Sequence, residues 1–173
     1  VEAFADVLAV GGRSNSLGRA GDVVAAVLAD RGRLDELWAC IGHDDPYVRM
    51  RAIDSFEKVV NEQPTWADAY VPQIVDELTS SSQPSIQWHV AQLLSQVRLD
   101  ADQRERALTW LRARLATTDV DWIVAVNCMR TLLAFHERGD VDVETLRQLY
   151  GRQGGHPSKT VRRKADQFLG ALG

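Results

Sequence analysis

Asp45-Pro46-Tyr47-Val48-Arg49-Met50-Arg51-Ala52-Ile53-Asp54-Ser55-Phe56-Glu57-Lys58-Val59 is the stretch that decides the fold. Its apolar residues Val48, Ala52, Phe56 and Val59 stand at offsets 0, 4, 8 and 11. Those offsets trace one face of an α-helix and exclude a strand. The same spacing returns in Ile86/Val90/Leu94/Val97, Val124/Cys128/Leu132/Phe135 and Val161/Ala165/Leu169/Leu172, with starts 38, 38 and 37 residues apart. A second apolar family lies between them at the same period: Leu34/Leu37/Ile41, Val71/Ile74/Leu78, Leu108/Leu111/Leu115 and Leu146/Leu149. Two helix families in one register describe a repeated hairpin, helix A followed by helix B.

Helix-start signals fall where this register needs them. Asp45-Pro46, Gln83-Pro84 and His156-Pro157 place proline in the first turn of three B helices, where its missing N–H costs nothing. The third B helix lacks proline, and Asp119 is its expected N-cap. Asp100 with Gln103 forms a candidate capping box for the third A helix. Pro72 is expected to kink or delay the second A helix. Helices are expected over 33–42, 46–61, 67–79, 84–97, 102–117, 120–137, 142–151 and 157–171. Before them, 11–21 is rich in Gly, Ser and Asn and reads as a loop, 22–30 as a short capping helix, and 1–10 as a further helical turn. The partition is a single domain, 1–173. It comprises an N-terminal cap and loop over 1–32 and repeats over 33–61, 66–99, 100–138 and 140–172. The expected core includes Phe56, Val90, Leu94, Leu111, Cys128, Leu132 and Leu169.

The 173 residues are 45% apolar and 25% charged, ordinary values for a globular chain with a real core. The net charge of −4 argues against whole-molecule attraction to nucleic acid or anionic membrane. The charge is uneven: 1–86 carries 7 basic and 14 acidic residues, and 87–173 carries 13 and 10. Cys40 and Cys128 both sit in apolar helical contexts and read as reduced core thiols. No apolar run reaches the ~18 residues of a membrane span. With no basic-then-apolar opening either, the expected location is the cytoplasm.

Helical hairpins whose B helix opens Asp-Pro-x-Val-Arg resemble HEAT repeats. The carrying residues are Asp45-Pro46-Tyr47-Val48-Arg49 with Ala52, and less fully Pro157 with Val161-Arg162 and Ala165. The second unit has Gln87 at the arginine position, and the third has Ala125 and no proline. The resemblance spans roughly 33–172. It implies an all-α, right-handed α-α superhelix of about four hairpins with an N-terminal helical cap, and a partial ladder pairing those arginines with aspartates of neighbouring units. Ile86-Gln87-Trp88-His89-Val90-Ala91-Gln92-Leu93-Leu94, with 100–106 after it, is similar to small uncharacterised bacterial HEAT-repeat proteins. That likeness implies no activity.

Catalytic motifs are missing from the sequence. The four histidines, His43, His89, His136 and His156, form no His-x₃-His pair, and neither cysteine belongs to a CxxC. His43-Asp44-Asp45 reads as a polar turn and cap rather than a metal corner. No cofactor or metal is implied. The informative feature lies opposite the core face. At about 100° per residue, position +2 of each B helix points about 180° from its apolar positions. Met50, Trp88, Val126 and Arg163 stand there, three of the four apolar. Beside them, position +3 brings Arg51, His89, Asn127 and Lys164, and position +6 includes Arg130. In HEAT-like solenoids the B helices line the concave surface, and Trp and Arg dominate interaction hot spots. The expected function is therefore a non-enzymatic scaffold gripping a protein or peptide in a B-helix groove of Met50, Arg51, Trp88, His89, Val126, Asn127, Arg130 and Arg163. A basic end patch of Lys159, Arg162, Arg163 and Lys164 accompanies it. The alternative is a HEAT-like nucleic-acid binder or relative of alkylpurine DNA glycosylases, which also use such a groove.

Overall fold

A computed structural model describes residues 2–172. The described residues form ten α-helices and short 3-10 segments, with no strand. The chain divides into two compact units, one ending at Asp68 and one beginning at Ala69. By sequence, the first carries 7 basic and 12 acidic residues, net −5, and the second 13 and 12, net +1.

The first unit contains α1 (Phe4–Ala9), α2 (Ala20–Ala29), α3 (Leu34–Cys40) and α4 (Pro46–Glu62). The third of these is the first A helix of the sequence register, and α4 is its B helix. Pro46 occupies the first turn of α4, and Asp45 accepts the Tyr47 N–H at 2.8 Å. A cap of this kind stabilises by about 1 kcal/mol. The expected N-terminal cap is itself a hairpin: α1 and α2 pack together, and α2 lies along α4.

The second unit contains α5 (Val71–Asp76), α6 (Pro84–Gln96), α7 (Ala101–Leu115), α8 (Trp122–Glu137), α9 (Val143–Gln153) and α10 (Lys159–Ala171). The odd-numbered helices pack on one another as one layer, and α6, α8 and α10 stack as the other. The α6–α8 contact is the most extensive, and Thr131 Oγ1 donates to Ala91 O across it at 2.7 Å. In the first unit Ser55 Oγ, at the matching position of α4, donates to Ala20 O at 3.4 Å. The same stacking rule therefore operates in both units.

The capping box of α7 forms as read, with Gln103 N–H on Asp100 at 2.8 Å and Asp100 N–H on Gln103 at 3.0 Å. Three local expectations are corrected. The expected second A helix is broken into a 3-10 stretch (Pro64–Tyr70), α5, and a second 3-10 turn (Leu78–Ser80). Pro72 fits only the first turn of an α-helix, and it sits there in α5. The N-cap of α8 is Asp121, which accepts the Ile123 N–H at 3.0 Å, whereas Asp119 lies in the preceding turn bonded to Thr117. Pro157 stays outside α10, whose N-cap is Ser158, because His156 Nδ1 accepts the Ser158 N–H at 2.9 Å and holds that residue extended.

Of the seven expected core residues, Phe56, Val90, Leu94, Leu111, Cys128 and Leu132 are fully buried. Leu169 is only half-buried. Among the described helices, α10 packs chiefly on α8 and α9, so nothing seals its last turn. Both cysteines are buried free thiols, and burial pushes both above the usual thiol range.

Candidate interaction face

The arginines of the Asp-Pro-x-Val-Arg pattern grip the turn before their own helix. Arg49 Nη1 donates to His43 O at 2.7 Å and Asp44 O at 3.0 Å. Arg162 Nη1 repeats this on His156 O and Pro157 O, both at 2.7 Å. At the matching position of α6, Gln87 Nε2 donates to Ser81 O at 2.7 Å. In the two histidine turns the ring closes the motif, His43 Nδ1 accepting the Asp45 N–H at 3.0 Å as His156 accepts that of Ser158. His43-Asp44-Asp45 is thus a turn and cap, and no grouping of three potential metal-ligating side chains occurs among the described residues.

Two residues assigned to the groove are not accessible for binding. Arg51 is fully buried in the first unit. Its Nε donates to Ser16 O at 2.7 Å, Nη1 to Leu8 O at 2.8 Å, and Nη2 to Gly12 O at 2.8 Å and Ser14 O at 3.1 Å. The α1–α2 loop folds over position +3 of α4, and Arg51 holds three of its carbonyls and that of Leu8 in the last turn of α1. Left-handed Gly11 and Gly18 make that approach possible: a Cβ would come within 3.0 Å of Arg51 Nη2 at the first and 1.9 Å of Val10 O at the second. His89 is 2% exposed, with its ring stacked on Trp88 at 3.4 Å between centroids.

Helix stacking also consumes part of the expected seam. Val126 and Asn127 are 7% and 4% exposed. Asn127 Oδ1 accepts from Gln92 Nε2 at 2.8 Å and from Arg130 Nη1 at 3.1 Å, while its Nδ2 donates to Ile123 O. This bridge ties α6 to α8 and fixes their register.

What remains accessible in the second unit is narrower than the sequence suggested, and it is aromatic. Trp88 is partly exposed one turn before Gln92. Trp122 is 48% exposed, one turn before Val126. Arg130 is exposed one turn after Val126. Arg130 Nη1 bonds Asn127 Oδ1, which also accepts from Gln92, so Arg130 joins the bridge between the two helices. Sequence reasoning missed Trp122, although its register, one turn before position +2, places it on the same arc. Met50 is half-buried on α4 of the first unit.

The basic end patch is partly occupied. Arg162 is bound to its turn, and Lys164 Nζ bonds Gln167 Oε1 at 3.0 Å. Lys159 and Arg163 are exposed on α10, which packs beside α8. Helices α6, α8 and α10 thus offer two indoles and the cations of Arg130, Arg163 and Lys159, while α6 bears no Asp, Glu, Lys or Arg at all. No helix among the described residues is long and apolar enough to cross a membrane. No protein-family model matches the chain, and no curated protein or solved structure matches it significantly.

Proposed function

We propose that the chain is a non-enzymatic protein-binding scaffold, each unit a segment of a HEAT-like right-handed superhelix, with partners docking on the B-helix face of the second unit. The observation that carries this reading is the pair Trp88 and Trp122, left partly exposed on two stacked helices, the second of which also exposes Arg130. A large aromatic side chain left in water forgoes burial worth about 1.5–3 kcal/mol, which a partner recovers on docking. Tryptophan and arginine are the residues most enriched at binding hot spots.

The test pairs stability with binding. Wild type, Trp88→Ala and Trp122→Ala serve as matched baits for proteins of the native host, and each is melted in parallel. The expected outcome is a protein retained by the wild type and lost by both variants, each destabilised by less than about 2 kcal/mol. A structural tryptophan behaves oppositely, costing about 3–5 kcal/mol on truncation. A collapse in Tm, or a partner that both variants retain, overturns the reading.

A further inference from the structure

Away from the tryptophans, the C-terminal ends of α6 and α8 and the first turn of α7 enclose a recess of about 270 Å³. Three arginines line it, Arg98, Arg104 and Arg138, with a single carboxylate, Asp140. Val97, Leu99 and Phe135 supply its apolar wall. Two of the guanidinium groups are held in place. Arg138 donates to Ser95 O at 2.7 Å and lies 5.7 Å over the Phe135 ring. Arg104 reaches Asp140 at 3.3 Å and Leu99 O at 3.4 Å.

Charge and size narrow what fits. Three arginines and one aspartate leave +2, two helix C-termini each contribute about half a negative charge, and the N-terminus of α7 contributes about half a positive one. The balance is net positive, the complement of an anion. Small-molecule sites usually occupy about 300–1,000 Å³, so this recess takes a ligand smaller than a nucleotide or a peptide. A planar arginine fork matches a carboxylate, and Arg104 already meets one carboxylate oxygen within the recess, Nη1 to Asp140 Oδ1 at 3.3 Å.

We propose that this recess is a binding site for a small monocarboxylic acid with a short apolar body, the carboxylate held by Arg104 and Arg138 and the body laid against Val97 and Leu99. Asp140 is the internal competitor that an incoming carboxylate displaces. The site is separate from the tryptophan face and does not depend on it.

Ligand-detected NMR and calorimetry on the full chain test this with benzoate and hexanoate, benzamide as the neutral isostere of benzoate, and inorganic phosphate. Benzoate is expected to bind with Kd on the order of 1 mM, as suits so small a ligand, and benzamide at least about tenfold more weakly. Arg104→Gln and Arg138→Gln each weaken benzoate about fivefold or more, and Asp140→Asn tightens it, because the competing charge is gone. If Arg104→Gln fails to fold, the exposed Arg138 decides the matter alone. Equal binding of benzamide and benzoate, tighter binding of phosphate than of benzoate, weaker binding by Asp140→Asn, or no saturable binding of either acid overturns the proposal.

Discussion

Arg51 shows how one side chain can be misjudged from its angle on a helix. Position +3 of a B helix points away from its own hairpin, and on that ground Arg51 belongs to an accessible face. The chain before it folds back instead, and its guanidinium serves the carbonyls of Leu8, Gly12, Ser14 and Ser16. No helical ladder satisfies those carbonyls, because Gly12, Ser14 and Ser16 lie in the loop outside both helices and Leu8 is in the last turn of α1. Arg51→Met keeps most of the apolar stem and removes every donor. The expected loss is about 2–4 kcal/mol in urea unfolding, since hydrogen bonds to a charged group are worth more than neutral ones. Proteolysis should then cut first within 11–19. A loss below about 1 kcal/mol would mean that water replaces the guanidinium freely and that the loop does not depend on it. Asn127 is a milder instance. Its polarity suggested contact with a partner, yet its amide is spent on Gln92, Arg130 and Ile123.

At the scale of elements, the period of 37 to 38 located every B helix to within a few residues, because apolar spacing and helix starts are local properties. Local chemistry shifted two of those starts. His156 accepts the Ser158 N–H and Asp121 the Ile123 N–H, so α10 and α8 each begin two residues after the expected starts at 157 and 120. The face of each helix was legible only on its core side. Which flank stays accessible depends on the neighbouring helix, and Ala91, Gln92, Asn127 and Thr131 together close one flank of α8. Nothing in the sequence of a single helix carries that information. The resemblance implied inter-unit pairing for Arg49 and Arg162, and it gave no sign of the clasp by which each arginine also binds carbonyls of its own turn. Cations in the first turn oppose the helix dipole by about 0.3–1 kcal/mol, and two short bonds to carbonyls offset that cost. Arg162→Met is therefore expected to destabilise by about 1–2 kcal/mol and to speed hydrogen exchange at Arg162 and Val161. An unchanged exchange pattern would show that the clasp adds nothing to the start of α10.

Across the whole molecule, charge weighs between a protein partner and a nucleic acid. The first unit is net −5 and the second only +1, so neither presents the strongly positive field that tracks a phosphate backbone. Helices α8 and α10 of the second unit add three cations, Arg130, Lys159 and Arg163, that are exposed and have no role in a turn. Arg162 is committed to carbonyls and Lys164 to Gln167. Each phosphate contact contributes about −0.9 to the slope of log K against log salt on duplex DNA. Three contacts give a slope of about −3, against the 6–10 contacts of a protein whose affinity depends on phosphates. Duplex DNA is thus expected to bind weakly, with a slope no steeper than about −3, and to be lost near 0.15 M salt, where the Debye length is about 8 Å. Fluorescence anisotropy of a labelled 20-base-pair duplex across a salt series measures this directly. A slope of −6 or steeper, with the complex surviving physiological salt, would move the tryptophan pair from protein docking to nucleic-acid recognition. Two indoles beside three guanidinium or ammonium groups would then act as base-stacking and phosphate contacts.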